Sequence, residues 1–327
     1  MNIYDIAKAA GVSIATVSRV IGGSDKVSPQ TRERVQEVIE QKGFVPNPFA
    51  RGLGLGSIKL IGLLCTDVSD IFFAQAVSNI EQQLRQYDLG TVLCCTGETL
   101  TGKKQGLELL LSKKVDAIML IGSPLGAEKD DTHLLEAAKQ CPLIGVNLYI
   151  DAPGIYGVLS AQEQAMYDNV RYLQEAGCRK IAYFYDGDTP ANRAKLEGYR
   201  EAIENLDETL IVQVKKDLDA VMEAADNLFN AHQVDGILAS EDILAVGAYK
   251  AMAARGLSLP TIGFNNSIIA RCATPPLTSM DNMLGSMCSI AVTQLVDVLD
   301  GKDVPRKISL ACHLVERDTF RISRATL

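Results

Sequence analysis

Tyr4-Asp5-Ile6-Ala7-Lys8-Ala9-Ala10-Gly11-Val12-Ser13-Ile14-Ala15-Thr16-Val17-Ser18-Arg19-Val20 is the stretch on which the organisation of this chain turns. Ile3, Ile6, Ala7 and Ala10 recur at helical spacing, which predicts a short helix over residues 3–10 with one apolar stripe. Gly11 supplies the backbone freedom that a tight inter-helix turn requires. Ser13 is placed to cap a second helix, and Ile14 to Ile21 contains no breaker. Val17 and Ile21 would face the first helix, leaving Ile14, Ala15, Ser18 and Arg19 on an outer face. Such an arrangement is a helix-turn-helix with a presentable recognition helix.

A third helix is equally well marked. Ser28 is a good N-cap, and Pro29 sits at the first helical position, where its missing N–H costs nothing. Val35, Val38 and Ile39 form an apolar stripe, and Gly43 ends the helix with Phe44 free to fold back. Residues 1–45 thus read as a small trihelical domain. A three-helix module with no nucleic-acid role would have no need of the string Ala7-x-x-x-Gly11-Val12-Ser13-x-x-Thr16-Val17-Ser18-Arg19. Residues 1–60 hold eight Lys/Arg against five Asp/Glu, a net of +3, which leaves −11 for the rest of a chain of formal charge −8. A weakly basic head on an acidic body suits a protein that touches phosphate through its head alone.

At these residues the chain resembles the LacI/GalR family of bacterial transcription regulators, and the resemblance runs to about residue 320. It implies base-reading positions at Ile14, Ala15, Ser18 and Arg19, and backbone-contacting positions at Tyr4, Ser13, Thr16, Lys26, Ser28, Thr31 and Asn47. Chemistry agrees: Arg19 can bind a guanine edge bidentately, a contact worth roughly 1–3 kcal/mol of discrimination. Ile14 and Ala15 carry no donors and could read only thymine methyls or shape. Gly22 stands where many relatives have Asn, which removes one polar contact. The resemblance implies further a near-palindromic double-stranded operator, a homodimer and a role as repressor.

Val45 to Ser57 links head and body. Its glycines suit a flexible linker. The resemblance implies instead a hinge helix over 46–57, with Asn47 as cap, Pro48 at the first position and Leu53 as a minor-groove wedge. Gly52, Gly54 and Gly56 weaken such a helix by about 1 kcal/mol each relative to Ala.

Beyond residue 58, apolar runs fit for buried strands occur at Leu60–Cys65, Thr91–Cys95, Ala117–Ile121, Leu143–Val146, Ile181–Tyr185, Leu210–Val214, Gly236–Ala239 and Thr261–Phe264. Amphipathic stretches such as Phe72–Tyr87, Gln162–Ala176 and Ile243–Arg255 separate them, and this alternation predicts an α/β fold with parallel sheets. The segment is long for one sheet, so two similar lobes are expected. The resemblance implies a periplasmic-binding-protein-like pair, with crossovers near 156, 277 and 313. Lobe one then takes 58–156 and 278–312, and lobe two 157–277 and 313–320.

Ligands of such sheets bind beyond the carboxyl ends of the strands, where this chain places Thr66–Asp70, Thr96, Gly122-Ser123, Asn147, Tyr185–Gly187, Ser240–Asp242 and Asn265-Asn266. Taken singly, any of these could be an ordinary solvated loop residue. The resemblance sharpens the list to Asp70, Phe72, Phe73, Ser123, Asn147, Lys195, Glu241 and Asn265, with Arg193 near Lys195. Lys195 stands where most relatives carry an effector-clamping Arg. Asn147 and Asn265 replace Asp, Ala161 replaces a further Asp, and Glu241 replaces Asn. The Asp losses leave Lys195 and Arg193 with fewer opposing carboxylates, so a sugar phosphate or sugar acid is an expected ligand beside a neutral sugar; Glu241 argues the other way.

Other classes find little support. The eight cysteines (65, 94, 95, 141, 178, 272, 288 and 312) form no CxxC pair, and no signal peptide or long apolar span is present, so a cytoplasmic protein with reduced thiols is expected. His133, His232 and His313 share no metal-ligand spacing. Gly52-x-Gly54-x-Gly56 precedes a strand rather than following one. Neither a cofactor motif nor a catalytic constellation is visible, which argues against an enzyme. Two alternatives stay open: a solute-binding protein with an extra N-terminal module, or a sugar- or nucleotide-handling enzyme on the same lobes.

Overall fold

A computed structural model describes residues 2–22, 24–44, 58–126 and 131–322. The head forms three helices, α1 Ile3–Ala10, α2 Ile14–Ile21 and α3 Pro29–Lys42. Each begins on a side-chain cap. Asn2 and Asp5 make a reciprocal capping box at α1, while Ser13 and Ser28 accept from Thr16 N–H and Thr31 N–H. Gly11 and Gly43 end α1 and α3 in the left-handed region, at φ 65° and 57°. Ile6, Ala7, Ala10, Val17, Val20 and Val35 are buried together, with Ile21, Val38, Ile39 and Phe44 packed around them. Val20, rather than Ile21, is thus the second fully buried contact of α2.

The body alternates strand and helix: β1 Leu60–Cys65, α4 Ile71–Gln86, β2 Gly90–Cys95, α5 Leu100–Ser112, β3 Ala117–Ile121, α6 Thr132–Ala138, β4 Leu143–Val146 and β5 Ile155–Ser160. It continues with α7 Gln162–Glu175, β6 Ile181–Tyr185, α8 Pro190–Ala202, β7 Ile211–Gln213, α9 Leu218–Ala231, β8 Gly236–Ala239, α10 Asp242–Ala254, β9 Thr261–Phe264 and α11 Ile268–Cys272. It closes with β10 Thr278–Asp281, α12 Leu284–Leu299, β11 Lys307–Leu310 and β12 His313–Val315. Two six-stranded sheets result, in the orders β11-β5-β4-β3-β1-β2 and β12-β10-β9-β8-β6-β7. All pairs are parallel except β10 with β12, which is antiparallel.

The chain changes lobe after Ser160, after Asp281 and between Leu310 and His313. The first two changes fall a few residues later than expected, because β5 still pairs with β4 and β10 still pairs with β9. Helix α12 then buries Met287, Cys288, Ala291, Val292 and Leu295 against the first sheet. Burial of such side chains contributes about 1.5–3 kcal/mol each for the larger ones, enough to weld a distant stretch of sequence into lobe one. In lobe two α7 and α8 pack very closely. A Cβ on Gly198 would lie 2.0 Å from the Glu163 carbonyl oxygen.

Candidate nucleic-acid interface and interlobe cleft

Of the expected base-reading residues, Ile14, Ala15, Ser18 and Arg19 are all exposed. Their spacing, 14 with 18 and 15 with 19, sets them on one face of α2. Ile14 is 40% exposed although it is apolar. Tyr4 projects from α1 and Lys26 from the α2–α3 turn, both exposed. Arg32 donates to the Ser24 carbonyl at 2.7 Å and pins that turn.

Ser13 and Thr16 share a hydroxyl hydrogen bond of 2.9 Å, and Ser28 donates to Thr31 Oγ1 at 2.9 Å. Each pair stands at a helix N-terminus, where backbone N–H groups and the helix dipole favour phosphate oxygens. Asn47 and Leu53, with the whole expected hinge 46–57, lie outside the described residues.

Between the lobes lies a cleft of about 960 Å³. Strand ends of both sheets build it, and it brings together Asp70, Phe72, Phe73, Ser123, Asn147, Lys195, Glu241 and Asn265. Arg193 is not among them: it pairs with Asp188 at 2.6 Å on the exposed side of α8. Residues two apart on a helix point about 200° from each other, so Arg193 and Lys195 leave α8 on opposite sides.

Lobe one supplies the aromatic wall. Asp70 caps α4 by accepting from Phe72 N–H at 2.7 Å. Phe72 and Phe73 meet edge to face, with centroids 5.4 Å apart. Gly122, at φ 91°, lets Phe73 lie against the backbone, since a Cβ there would come within 2.3 Å of the ring. Asn147, at φ 57°, accepts from Gln162 Nε2 at 3.0 Å.

Lobe two supplies the charged floor. Lys195 is 3% exposed, donates to the Ser240 carbonyl at 2.8 Å and lies 4.2 Å above the Phe264 ring. Burial pulls its ammonium below the usual lysine range, and Glu241 and Asp186 oppose that shift. Asn192 donates to Asp186 Oδ1 at 2.9 Å and holds it toward the cleft. Asn265, at φ 97°, accepts from Asn282 Nδ2 at 2.8 Å.

Beneath these, buried Asp242 accepts from Ser267 N–H and Ser267 Oγ, each at 2.7 Å, and from Ser279 Oγ at 2.5 Å. It thereby ties α10 to β10 and to the cap of α11. Burial pushes its carboxyl up to about 6 despite those donors. Ala161 leaves α7 without a side-chain cap.

The sequence does not single out Lys216, whose ammonium reaches Asp70 at 2.6 Å and also contacts Glu241. Burial works against that charge, yet Glu241 and Asp70 hold Lys216 above the ordinary lysine range. Burial likewise raises the Glu241 carboxyl above the usual carboxylate range, against the pull of Lys216. Lys103, also missed, is buried on α5 and donates to the Pro124 carbonyl at 2.7 Å. In all, seven carboxylates line the cleft against four lysines, so it is acidic rather than basic. Among the described residues no cluster of His, Cys, Asp or Glu could hold a metal ion, and no helix is long and apolar enough to cross a membrane.

Residues 2–47 match the profile of bacterial regulatory proteins of the lacI family, and residues 170–320 match a periplasmic binding protein-like domain. An HTH-type transcriptional regulator of Lachnoclostridium phytofermentans is 40% identical, covering 98% of this chain and 99% of its own. Among solved structures, the complex of transcriptional regulator CelR with cellobiose superposes with a TM-score of 0.70 at 26% identity, covering 98% of this chain and 100% of its own. The Lac repressor dimer bound to operator and the anti-inducer ONPF superposes with a TM-score of 0.84 at 22% identity, covering 98% of each chain; at that identity the likeness is one of fold.

Proposed function

Since the chain belongs to the LacI family and is a DNA-binding transcription regulator rather than an enzyme, we propose that it is a repressor controlled by an uncharged, hydroxyl-rich effector. The observation that carries the effector class is the state of the cleft's cations. Three of the four lining lysines are engaged: Lys195 by the Ser240 carbonyl, Lys216 by Asp70 and Glu241, and Lys103 by the Pro124 carbonyl, while the fourth, Lys215, is exposed. Arg193, outside the lining, is held by Asp188.

A sugar phosphate or sugar acid, expected from the Asp-to-Asn replacements, would meet surplus carboxylates with few cations to receive it. Sugar hydroxyls can instead donate to Asp70, Asp186 and Glu241 while an apolar ring face rests on Phe72. The cellobiose held by CelR supports a sugar as the class.

The head is proposed to read each half of a near-palindromic operator, as a C2 homodimer. Arg19, with Ser18, Ile14 and Ala15, would enter the major groove. Tyr4, Ser13, Thr16, Lys26, Ser28 and Thr31 would hold the phosphates, and Asn47 and Leu53 would act in the hinge. A cytoplasmic location fits this role.

Fluorescence anisotropy with DNA from upstream of the protein's own gene tests the regulator. Thermal shift with neutral sugars against their phosphates and acids tests the effector class, because a bound ligand raises the melting temperature by mass action. Salt-sensitive binding to one near-palindromic site, relieved by a neutral sugar, is expected. Shifts confined to the acidic ligands would overturn the effector class.

A further inference from the structure

Asp70 and Lys216 are 146 residues apart in sequence, and they meet across the cleft. Asp70 belongs to lobe one, at the start of α4. Glu241 belongs to lobe two, between β8 and α10, and Lys216 contacts both carboxylates. The two acids are set by regular structure. One Asp70 oxygen accepts from Phe72 N–H, and the other is left for Lys216. Glu241 makes no cap bond to its own helix, so its carboxylate is turned to the cleft.

Lys216 arrives from the short segment between β7 and α9, on a side chain 30% exposed, whereas the acids are 18% and 21% exposed. The carboxylates are therefore fixtures of the site, and the ammonium is the replaceable partner. Away from the crossover segments, the other hydrogen bond between lobes among the described residues runs from Ala191 N–H to Ser123 Oγ, at a long 3.4 Å.

We propose that Lys216 is a built-in occupant of the cleft: it clamps Asp70 of one lobe to Glu241 of the other in the ligand-free protein, and an entering ligand must take over those carboxylates. A partly buried ammonium between two carboxylates is held far better than a surface pair, and removing it leaves like charges facing each other. The clamp also sets the ligand's charge. A ligand that takes over the two acids must offer them hydrogen-bond donors, as hydroxyls do, whereas an anion would set a third negative charge against them. The regulatory meaning of this contact rests on the cleft being the effector site. Its existence as a coupling between lobes does not.

The test is amide hydrogen exchange on the ligand-free full chain, comparing wild type with Asp70→Asn, Lys216→Met and Lys216→Arg. Asn is as good a helix cap as Asp, so the first variant keeps α4 intact. Asp70→Asn, a change in lobe one, is expected to speed exchange about tenfold in residues 214–218 of lobe two, a factor corresponding to about 1.4 kcal/mol. Lys216→Met should do the same to the first turn of α4 in lobe one, and Lys216→Arg should restore protection.

Changes confined to the lobe that carries the substitution, or an Arg variant no better than Met, would overturn the clamp. Should Lys216→Met lose protection in β3 and β8 as well, the Asp70→Asn result alone decides. Absence of any sugar-induced thermal shift in the wild type would overturn the effector reading of the cleft and leave the exchange result standing.

Discussion

Replacing Asp242 by Asn should make the protein gain stability relative to wild type as pH rises. Asp242 is 2% exposed and receives three hydrogen bonds, yet burial pushes its carboxyl from 3.8 up to about 6. A carboxyl whose folded value is raised binds its proton more tightly in the folded chain. Its contribution is therefore full below the unfolded value and is lost as pH climbs through the folded one. The window runs from about pH 4 to about pH 6. Its whole depth, at 1.36 kcal/mol per unit, is about 3 kcal/mol, of which roughly 1 kcal/mol falls between pH 5 and pH 7.

Asn keeps the shape and can serve the same serines, but it does not titrate. Urea denaturation of residues 58–327 at several pH values, wild type beside Asp242→Asn, measures the difference. Glu241 is raised as well and adds a slope of the same sign to both proteins, so it cancels in the comparison. A stability gap that stays constant from pH 5 to pH 7, or moves in favour of wild type, would refute the reasoning.

Arg19→Ala should relax base preference at one position of each half-site at a cost of about 1–3 kcal/mol, whereas Lys26→Ala should weaken all sequences alike and lower the salt slope by about one. Binding curves on operator variants separate the two, and equal losses for Arg19→Ala would sink the base-reading role. Gly198→Ala should destabilise lobe two by about 1–3 kcal/mol or more, because the new Cβ meets α7 backbone rather than a movable side chain; an unchanged melting temperature would contradict the close packing. Lys195→Met removes the ammonium from above Phe264 and from the buried Ser240 carbonyl. Ligand-induced thermal shift should vanish while ligand-free operator affinity stays within about twofold, the split expected of a residue acting only in the cleft; a parallel loss of both would count against it.

Local chemistry determined the head. Ser13, Ser28, Pro29, Gly11 and Gly43 act on their own neighbours within a turn of helix, so their effects are readable along the chain. The central strands were legible for a related reason: buried on both faces, β1, β3, β4, β6, β8 and β9 are written as apolar runs. The edge strands β11 and β12, with Lys307, Ser309 and His313, lack that signature because one side meets solvent. Gly157 and Ser160 break up β5, and β10 is Thr-Ser-Met-Asp, so the lobe changes were placed early.

The cleft was legible as a region, since strand ends mark it, but its chemistry was not. Whether Arg193 faces Lys195 depends on helix rotation, and whether a lysine is available depends on what its ammonium meets. The Asp70–Lys216–Glu241 contact joins two lobes through partners 146 residues apart, and no local spacing encodes it. Propensity, capping and periodicity act over a few residues, whereas the charge balance of a cleft exists only once two separately folded lobes face each other.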